Sequence, residues 1–435
     1  MTALFQQLQG KHSLNLRPEA KLLLYLSRTD LDATLVEQAQ TLLQRHPMDW
    51  VYLLELADQH GVIPLLYESF KKIGISAVPE CVLNKFQQIV QVNTLRNLFL
   101  VGELCRVLDL LKTHNIPVIP FKGPTLATLA YGGIQRRKAG DLDILVHERD
   151  FCKSRDLLMA QGYQPIMPPW FLDAAQEKAY LESRNEYTLI HPETQVCIDL
   201  HRRLAAGDFF LMPIDFERLW NFNSLQQRLH SVSVAGRTLP ALQAEDLLLY
   251  LCVHGSKHLW ARLTWICDVA ELLRSNPTLN WDWVFQQTKL LGCDRILSVG
   301  LLLANDLLGA PIPDHVRQRA QVYPRHRLLM SQVQNWLFRE TGAPPKGFSF
   351  ERIHFHIREI EALRGKMQYC YRSLGHYGLA PVRRAITPTF KDRLFVQLPL
   401  PLFPLYYLVR PIRLIRDVGL ELWQRRPRIQ KAYVK

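Results

Sequence analysis

Apolar residues recur every three or four positions through the first part of the chain, which is the spacing of an amphipathic α-helix. Several such runs lie within residues 18–112, and the longest extends from Val82 to His114. Asp49 and Gly61 flank an intermediate run as an N-cap and a terminating glycine. We therefore predict a helical N-terminal region over residues 1–114 that has no chemistry of its own.

The pattern changes near residue 116, where short apolar runs begin to alternate with helical segments. Residues 116–121 and 141–146 are predicted strands, and residues 125–131 and 151–161 are predicted helices. A glycine after the second of these helices stops it in the usual way. The alternation indicates a segment of mixed α and β structure.

A β-hairpin is predicted next, because residues 186–191 and 195–201 are strand-like and flank a turn at residues 192–194. A second short strand pair is expected around Gly236. Beyond residue 245 the helical period returns. The predicted fold class is therefore α+β, with a small mixed β-sheet core embedded in a predominantly helical chain.

Charge adds one feature, which lies at the C-terminal end. The 435 residues include 53 Lys and Arg against 40 Asp and Glu, a formal net charge of +13. Residues 351–435 hold 17 of the basic and 6 of the acidic residues, so the rest of the chain is nearly neutral. A neutral body suits a small-molecule enzyme better than a protein whose whole surface binds nucleic acid.

Together, the hydrophobic pattern and the charge distribution predict four segments: a helical region 1–114, an α/β core 115–242, a helical follower 243–345 and a basic region 346–435.

The cysteines and the first residues bear on the expected location. Eight scattered cysteines include no C-x-x-C pair, which argues against a zinc ribbon or a thioredoxin-like site. Residues 1–14 are polar and lack the apolar core of a signal peptide. A reducing cytoplasm is the expected location.

Two acids inside the second predicted strand have the clearest chemical signature. Asp141 and Asp143 are two positions apart, so their side chains are expected on one face of the strand. An otherwise apolar strand does not bury two like charges without compensation. Mg²⁺ supplies that compensation, because it prefers oxygen ligands and keeps positions open for phosphates. Asp199, on another predicted strand, adds the third carboxylate of a two-metal phosphoryl-transfer site. The alternative is a set of solvent-facing acids on an edge strand.

The turn at Lys122 and Gly123 is a candidate phosphate site. It joins a predicted strand to a predicted helix, and Pro124 suits the first turn of that helix. A glycine at this point lets backbone N–H groups approach a phosphate, and the helix N-terminus favours negative charge. This sequence pattern alone does not identify a phosphate site, because a buried turn between a strand and a helix with no ligand has the same pattern.

The order of these motifs resembles the uncharacterised nucleotidyltransferase family of bacteria, within the DNA polymerase β-like superfamily. The resemblance covers roughly residues 20–275 and is carried by Phe121-Lys122-Gly123, Tyr131-Gly132, Arg137, the run Gly140 to Val146, and Ile198-Asp199-Leu200-His201. It implies a small mixed-sheet nucleotidyltransferase core. It also implies that the chain is an enzyme that transfers a nucleoside monophosphate to a hydroxyl group of a small molecule, a sugar or a protein.

The resemblance also implies roles for individual residues. Asp141, Asp143 and Asp199 would bind Mg²⁺, and Lys122 and Gly123 would hold the phosphates of a nucleoside triphosphate. Many members of the wider superfamily have Gly-Ser at the phosphate turn. This chain lacks that serine hydroxyl, so phosphate binding there rests on the backbone and on the lysine.

Two further residues have alternative roles. Arg137 either contacts a nucleotide phosphate or forms a salt bridge with a nearby acid. His201 lies on the same face as Asp199 by the period of two. It either orients that carboxylate or is a satisfied core histidine.

A polar cluster on a later helix is a second candidate for the site. His254 and His258 are one helical turn apart, but a zinc site needs more ligands, and the pair lacks the glutamate of a metalloprotease helix. The resemblance places this helix beside the active site, where His254, Lys257, His258 and Arg262 would line the acceptor or phosphate pocket. The alternative is an exposed polar face of a packed helix.

The C-terminal segment combines apolar residues with positive charge. Residues 394–409 contain three prolines and are too short for a membrane-spanning helix. Arg410, Arg413 and Arg416 then follow among aliphatic residues. We expect residues 389–435 either to bind an anionic membrane surface peripherally, at the inner membrane face, or to dock on the body as an arm. Nucleic acid fits this segment less well.

The functional prediction is a cytoplasmic, Mg²⁺-dependent nucleotidyltransferase with a nucleoside triphosphate as substrate. Two alternatives stay open. One is a non-catalytic nucleotide-binding or regulatory protein that keeps the fold, and the other is a membrane-associated scaffold that acts through the basic segment. The presence of all three acids favours the enzyme, because a non-catalytic protein has no physical need for them.

Overall fold

A computed structural model of the chain describes residues 16–74, 78–167, 180–181, 185–204, 212, 214–322, 326–338, 349–374, 392, 395–396, 398, 402 and 405–424, with side chains as far as 416. Their contacts divide the chain into two compact units, residues 1–366 and 367–435. The finer segment boundaries at residues 114, 242 and 345 stay predictions. The polar N-terminal stretch 1–14 and the basic residues 425–435 lie outside the described residues.

Five helices precede the sheet, as the helical period predicted. They are α1 (Pro18–Leu26), α2 (Ala33–Arg45), α3 (Trp50–His60), α4 (Ile63–Ile73) and α5 (Glu80–Thr113). The side chain of Asp49 accepts a hydrogen bond from the Tyr52 amide and caps α3, and Gly61 ends that helix with a φ of 71°. Both sequence predictions for this helix are therefore confirmed.

The central sheet has five strands in the order β1-β2-β5-β4-β3. The strands are β1 (Val118–Pro120), β2 (Leu142–Val146), β3 (Gln164–Met167), β4 (Glu186–Ile190) and β5 (Cys197–His201). Only β2 and β5 pair in parallel, and the other neighbours are antiparallel. The small mixed sheet in a mainly helical chain confirms the predicted α+β class.

The two faces of the sheet differ in character. One face and the apolar sides of α5 and α7 (Phe151–Ala160) form a continuous core, to which Leu142, Ile144, Ile198 and Leu200 contribute. Because strand side chains alternate, the residues between these point to the opposite face. That opposite face carries the acids of the predicted site.

A short helix lies between β1 and β2, and further short elements follow the sheet. Helix α6 (Gly123–Tyr131) has Pro124 in its first turn and ends at Gly132, which has a φ of 69°. Two short helices follow the sheet, α8 (Glu217–Trp220) and α9 (Phe222–Gln227). The strand pair predicted around Gly236 is a hairpin of β6 (His230–Val234) and β7 (Arg237–Ala241).

Helices form the remainder of the first unit. They are α10 (Ala244–Lys257), α11 (Leu263–Ser275), α12 (Trp281–Leu291), α13 (Asp294–Leu308), α14 (Asp314–Gln321), α15 (His326–Leu337), α16 (Phe350–Glu359) and α17 (Leu363–Ser373), the last of which crosses the division between the units. Helix α10 brings its buried Tyr250 against the ring of Phe121, at 5.2 Å between centroids. The helical follower is thus in contact with the turn that precedes α6.

Among the described residues of the second unit, the long helix is α18 (Tyr406–Gln424). Arg410 and Arg413 on this helix both donate to the buried Asp392, at 3.0 and 2.6 Å. Within the described residues, no helix combines the length and the apolar character needed to cross a membrane.

Candidate active site

The parallel pairing of β2 and β5 brings two of the predicted acids together. In this register Asp143 lies directly opposite Asp199, and Leu145 lies opposite His201. The neighbouring strand β4 places Thr188 opposite Asp199 and Glu186 opposite His201. Residues that are 56 positions apart in the chain therefore become direct neighbours on one face of the sheet.

Asp143, Asp199 and His201 form a group suited to a cation. One ligand atom from each residue lies within 4.8 Å of the others. Asp143 Oδ2 and Asp199 Oδ1 are buried and accept no hydrogen bond. Buried carboxylate oxygens without partners are costly, and a divalent cation compensates that cost. The residues present therefore fit a divalent cation.

Asp141 lies at the edge of this group, one residue before β2, and is partly exposed. Repulsion from Asp143, followed by burial, raises the pKa of Asp141 to about 6. Burial, together with the charge of Asp143, also raises the pKa of Asp199. The three predicted acids thus share one electrostatic environment, in which each carboxylate opposes ionisation of the others.

Lys122 and Gly123 lie directly against the acids. The Lys122 ammonium is 2.7 Å from Asp143 Oδ1, and burial of both side chains strengthens this ion pair. Burial opposes ionisation of Asp143, but Lys122 and His201 outweigh it and lower the pKa of Asp143 to about 2. Gly123 has a φ of +57°, and a Cβ there would lie 3.0 Å from the Asp141 carbonyl oxygen. The turn therefore needs a glycine both for its conformation and for its approach to β2.

His201 is buried at the end of β5, between two carboxylates. Its Nε2 is 3.5 Å from Asp143 Oδ1, and its Nδ1 is 3.4 Å from Glu186 Oε2. The Phe121 ring packs edge-on against the imidazole at 5.1 Å. Burial disfavours the charged imidazole, but the surrounding acids prevail and raise the pKa of His201. Both contacts are with acids other than Asp199, the carboxylate that His201 was predicted to orient, so that role stays a prediction.

Arg137 is held by an acid from α11. Its Nε and Nη2 donate to the two oxygens of Asp268, at 2.7 and 2.9 Å, and the Tyr131 hydroxyl donates to the same carboxylate at 2.6 Å. This is the salt bridge that the sequence left open as an alternative to phosphate binding. Arg137 still acts on the site at a distance, because its charge favours ionisation of Asp141.

The polar cluster on α10 forms a wall of rings beside Lys122. His254 stacks on Tyr250 at 5.9 Å and lies 4.6 Å from the His258 ring, while Trp265 packs against both histidines. Burial, followed by the charges of Lys257 and Lys122, lowers the pKa of His258 to about 3. Burial and Lys122 likewise lower the pKa of His254. Both imidazoles are therefore neutral near pH 7.

Lys257 and Arg262 border the same wall at the end of α10. Lys257 is partly buried, Arg262 is exposed, and neither forms an ion pair with a carboxylate among the described residues. Both residues lie near His258, and their place in an acceptor or phosphate pocket stays a prediction. They leave uncompensated positive charge on the helix that packs against the Lys122 turn.

Three residues of the site were not among the sequence candidates. Glu186 contacts His201, Thr188 lies opposite Asp199 and counteracts the rise in the pKa of that acid, and the buried Tyr250 interacts with the Lys122 ammonium. The first two follow from the hairpin register, because counting back from the turn pairs Glu186 with His201 and Thr188 with Asp199. Tyr250 comes from a distant helix, and no local signal marks it.

Comparison with known proteins identifies the family of the chain. One solved structure that resembles the chain is the lincomycin-bound lincosamide antibiotic adenylyltransferase LnuA, with 19% sequence identity, a TM-score of 0.27, and coverage of 39% of this chain and 94% of that chain. No curated protein sequence matches the chain. The profile of the uncharacterised nucleotidyltransferase family matches residues 46–309. This match covers more than half of the sequence, and the chain belongs to that family.

Proposed function

We propose that this protein transfers a nucleoside monophosphate from a nucleoside triphosphate to a hydroxyl group of a small molecule, a sugar or a protein, with Mg²⁺ as cofactor. The observation that carries the proposal is the pairing of Asp143 with Asp199 across β2 and β5, with one buried oxygen of each carboxylate lacking a partner. Asp141 stands next to them and completes the acid triplet. Family membership supports the general reaction class.

Asp141, Asp143 and Asp199 would hold the Mg²⁺ ions, and His201 lies close enough to contribute to the same group. When bound, Mg²⁺ neutralises the charge of the nucleotide phosphates and of the leaving pyrophosphate. Glu186 and Thr188 hold His201 and Asp199 in place from the neighbouring strand. The sheet therefore fixes the direction in which the acids point.

The triphosphate would bind at the start of α6 and along the end of α10. Backbone N–H groups in the first turn of α6 point out of the helix, and its dipole favours an anion there. Lys122 adds a positive charge at that point. Lys257 and Arg262 lack carboxylate partners in the described part of the chain and are suited to bind the outer phosphates.

The acceptor hydroxyl would be oriented by Asp199. Asp199 would accept the proton of that hydroxyl as its oxygen attacks. The acceptor oxygen then forms a bond to the α-phosphorus, and the bond from that phosphorus to the bridging oxygen breaks. Pyrophosphate leaves with the electron pair. The neutral rings of His254, His258 and Trp265 form a wall for the acceptor or the base beside this point.

The direct test is Mg²⁺-dependent release of pyrophosphate from a panel of nucleoside triphosphates and hydroxyl acceptors. We expect release by the wild-type protein and none above background by Asp141→Asn/Asp143→Asn. Asp109→Asn is a suitable control, since Asp109 is exposed and pairs only with Arg237 in an exposed ion pair. Equal activity of the wild type and the double variant would disprove the assigned chemistry.

Binding measurements separate the enzyme from the non-catalytic alternative. Mn²⁺ binding followed by electron paramagnetic resonance reports on the acids without any acceptor. We expect the wild type to bind Mn²⁺ and to be stabilised against heat by a nucleoside triphosphate together with Mg²⁺, and the double variant to show neither effect. Binding of metal and nucleotide without turnover, over a broad acceptor panel, would support a nucleotide-binding regulatory protein instead.

A further inference from the structure

The long helix of the second unit has its polar and apolar sides reversed relative to an ordinary surface helix. Arg410 and Arg413 are buried, with 8% and 7% of their surface exposed. Leu408, Ile412 and Ile415 are exposed to 65%, 61% and 75%. A helix in contact with water on its outer side normally places arginines outward and aliphatic residues inward.

A buried ion-pair network fixes this orientation. Asp392 is fully buried, and its two oxygens accept from Arg410 and Arg413, which lie one turn apart on the same side of α18. The Tyr406 hydroxyl, on that side as well, donates to the Val396 carbonyl and accepts from the Leu398 amide. Because three residues of the helix are bound in this way, α18 cannot rotate to bury its aliphatic side without leaving charges unpaired.

The exposed aliphatic residues form one continuous line, which we call the outer stripe: Leu405, Leu408, Ile412 and Ile415. Leu408, Ile412 and Ile415 are four and three residues apart and lie on one side of the helix, opposite the buried arginines, and Leu405 directly precedes the helix. The outer stripe is about 15 Å long at the rise of an α-helix. This is half of the thickness of a bilayer core, so the stripe suits a helix that lies flat on a membrane.

Charge identifies the kind of surface that the outer stripe fits. Residues 351–435 hold 17 basic and 6 acidic residues, and Arg425, Arg426, Arg428, Lys431 and Lys435 follow the helix in sequence. Arg416 is exposed one turn beyond Ile412, beside the stripe, where it stacks on the Phe395 ring. A second copy of this chain would bring like charges together, whereas an anionic lipid surface complements them.

We propose that the second unit binds anionic phospholipid surfaces through the outer stripe of α18, with the side chains of the stripe inserted among acyl chains and Arg416, together with the basic residues that follow the helix in sequence, paired with lipid phosphates. The proposal is independent of the transfer chemistry, since it uses no residue of the first unit. It places the enzyme where acceptors attached to a membrane are within reach.

Flotation of the full-length protein with lipid vesicles tests the proposal. Vesicles of phosphatidylcholine with phosphatidylserine are compared with vesicles of phosphatidylcholine alone. We expect the wild type to float with the anionic vesicles only, and Leu408→Gln/Ile412→Gln/Ile415→Gln to lose about tenfold or more in partitioning. Arg416→Gln should lose about fivefold, because one basic residue near the surface is removed.

The matched control is Val92→Gln/Leu95→Gln/Leu98→Gln, which removes three exposed aliphatic residues from α5 in the first unit, with 67%, 67% and 47% of their surface exposed. It should float like the wild type. Near-ultraviolet circular dichroism of both triple variants checks that the fold is retained, which is expected because all six side chains are exposed. Equal flotation of the stripe variant and the wild type, or equal binding to neutral and anionic vesicles, would overturn the proposal.

Light scattering tests whether the outer stripe instead contacts a second copy of this chain. If the wild type does not float but forms a dimer, and the stripe variant is a monomer, the outer stripe is a contact between two copies and the lipid proposal is wrong. A monomeric wild type that floats supports it.

Discussion

Two buried aspartates in this protein differ in how their oxygens are used. Asp392, in the second unit, has both oxygens bound by arginines. Asp143, in the sheet, has one oxygen bound by Lys122, while the other is buried without a partner beside Asp199 and Asp141. The first arrangement is complete and stabilises the fold. The second leaves buried carboxylate oxygens without a partner, which is the property expected of a site that binds a cation.

Asp268 and Asp246 resemble Asp392 in this respect. Asp268 accepts from Arg137 and Tyr131, and Asp246 accepts from Arg228 and Trp220. Burial of an acid is therefore not by itself a mark of function in this molecule. The useful distinction is whether the partners of the carboxylate come from the protein.

The largest effect should come from breaking the incomplete site. Asp143→Asn or Asp199→Asn should reduce the transfer rate about a thousandfold or more, since a cation ligand is lost from a group that acts as a unit. The thermal midpoint should change little for Asp199→Asn, because burial and the charge of Asp143 already oppose ionisation of this acid. Asp143→Asn should lower the midpoint as well, since it leaves Lys122 buried without its counter-charge. Pyrophosphate release and differential scanning fluorimetry measure the two quantities. A variant with full activity would show that the unpartnered oxygens have no catalytic use.

Breaking the complete site should have the opposite outcome. Asp392→Asn leaves Arg410 and Arg413 buried without their counter-charge, which costs about 3–5 kcal/mol. Hydrogen exchange should therefore rise across α18 while the first unit keeps its transfer activity. Unchanged protection of α18 would contradict the structural role of this network.

A third kind of buried ionisable group extends the comparison of Asp143 with Asp392. It has no opposite charge beside it and is therefore more stable in its neutral form. His60 is buried, its Nε2 contacts the Leu337 carbonyl at 3.0 Å, and its Nδ1 accepts from the Leu263 amide at 3.2 Å. Burial lowers the pKa of His60 to about 4. The unfolded chain binds a proton near pH 6.5, so stability is fully present above that pH and is lost as the pH falls toward 4.

At a pH of about 4.5 this histidine alone should account for a loss of about 2–3 kcal/mol in the free energy of unfolding. His60→Gln keeps a donor and an acceptor but does not titrate. Urea unfolding at neutral and acidic pH should show a smaller loss for the variant than for the wild type. The same loss in both proteins would assign the pH dependence to other groups.

The smallest expected effect concerns Gly123, whose close approach to the backbone of Asp141 brings the Lys122 turn next to the acids. Gly123→Ala places a Cβ 3.0 Å from the Asp141 carbonyl oxygen in a left-handed conformation. Gly292→Ala is a matched control, because Gly292 has a φ of +68° but open space around it. Both should lose about 1 kcal/mol in unfolding free energy, and only Gly123→Ala should also weaken nucleotide binding. Equal nucleotide affinity of the two variants would contradict a role of this turn in phosphate binding.

Local patterns predicted much of the fold. The period of the apolar residues placed α5 at residues 82–114, against Glu80–Thr113 in the structure, and the turn at 192–194 placed the β4–β5 hairpin. Strand β3 was missed, because Gln164–Met167 is short and contains Pro165. Proline is tolerated at this position because β3 is an edge strand, a property that only the assembled sheet defines.

The candidate site was predictable in composition but not in its contacts. The spacing of Asp141 and Asp143 marked a strand of acids, yet their relation to Asp199 depends on a parallel pairing between strands distant in sequence. The partner of Arg137 is 131 residues away, so the choice between phosphate and salt bridge could not be made locally. The side of α18 that is buried could not be predicted for the same reason, because Asp392 lies 18 and 21 residues before the two arginines that it binds.

The parallel pairing of β2 with β5 has a consequence for the order of folding. Lys122 and Asp143 belong to the neighbouring strand region of β1 and β2, so their contact closes a short loop, whereas Asp199 joins only after a much longer loop has closed. During synthesis, a chain that ends before β5 can pair Asp143 with Lys122 but lacks Asp199, so the group of acids proposed to bind a cation is not yet formed. Capture of a divalent ion would therefore report that the sheet has been completed, and a metal-sensitive probe would time the last step of its assembly.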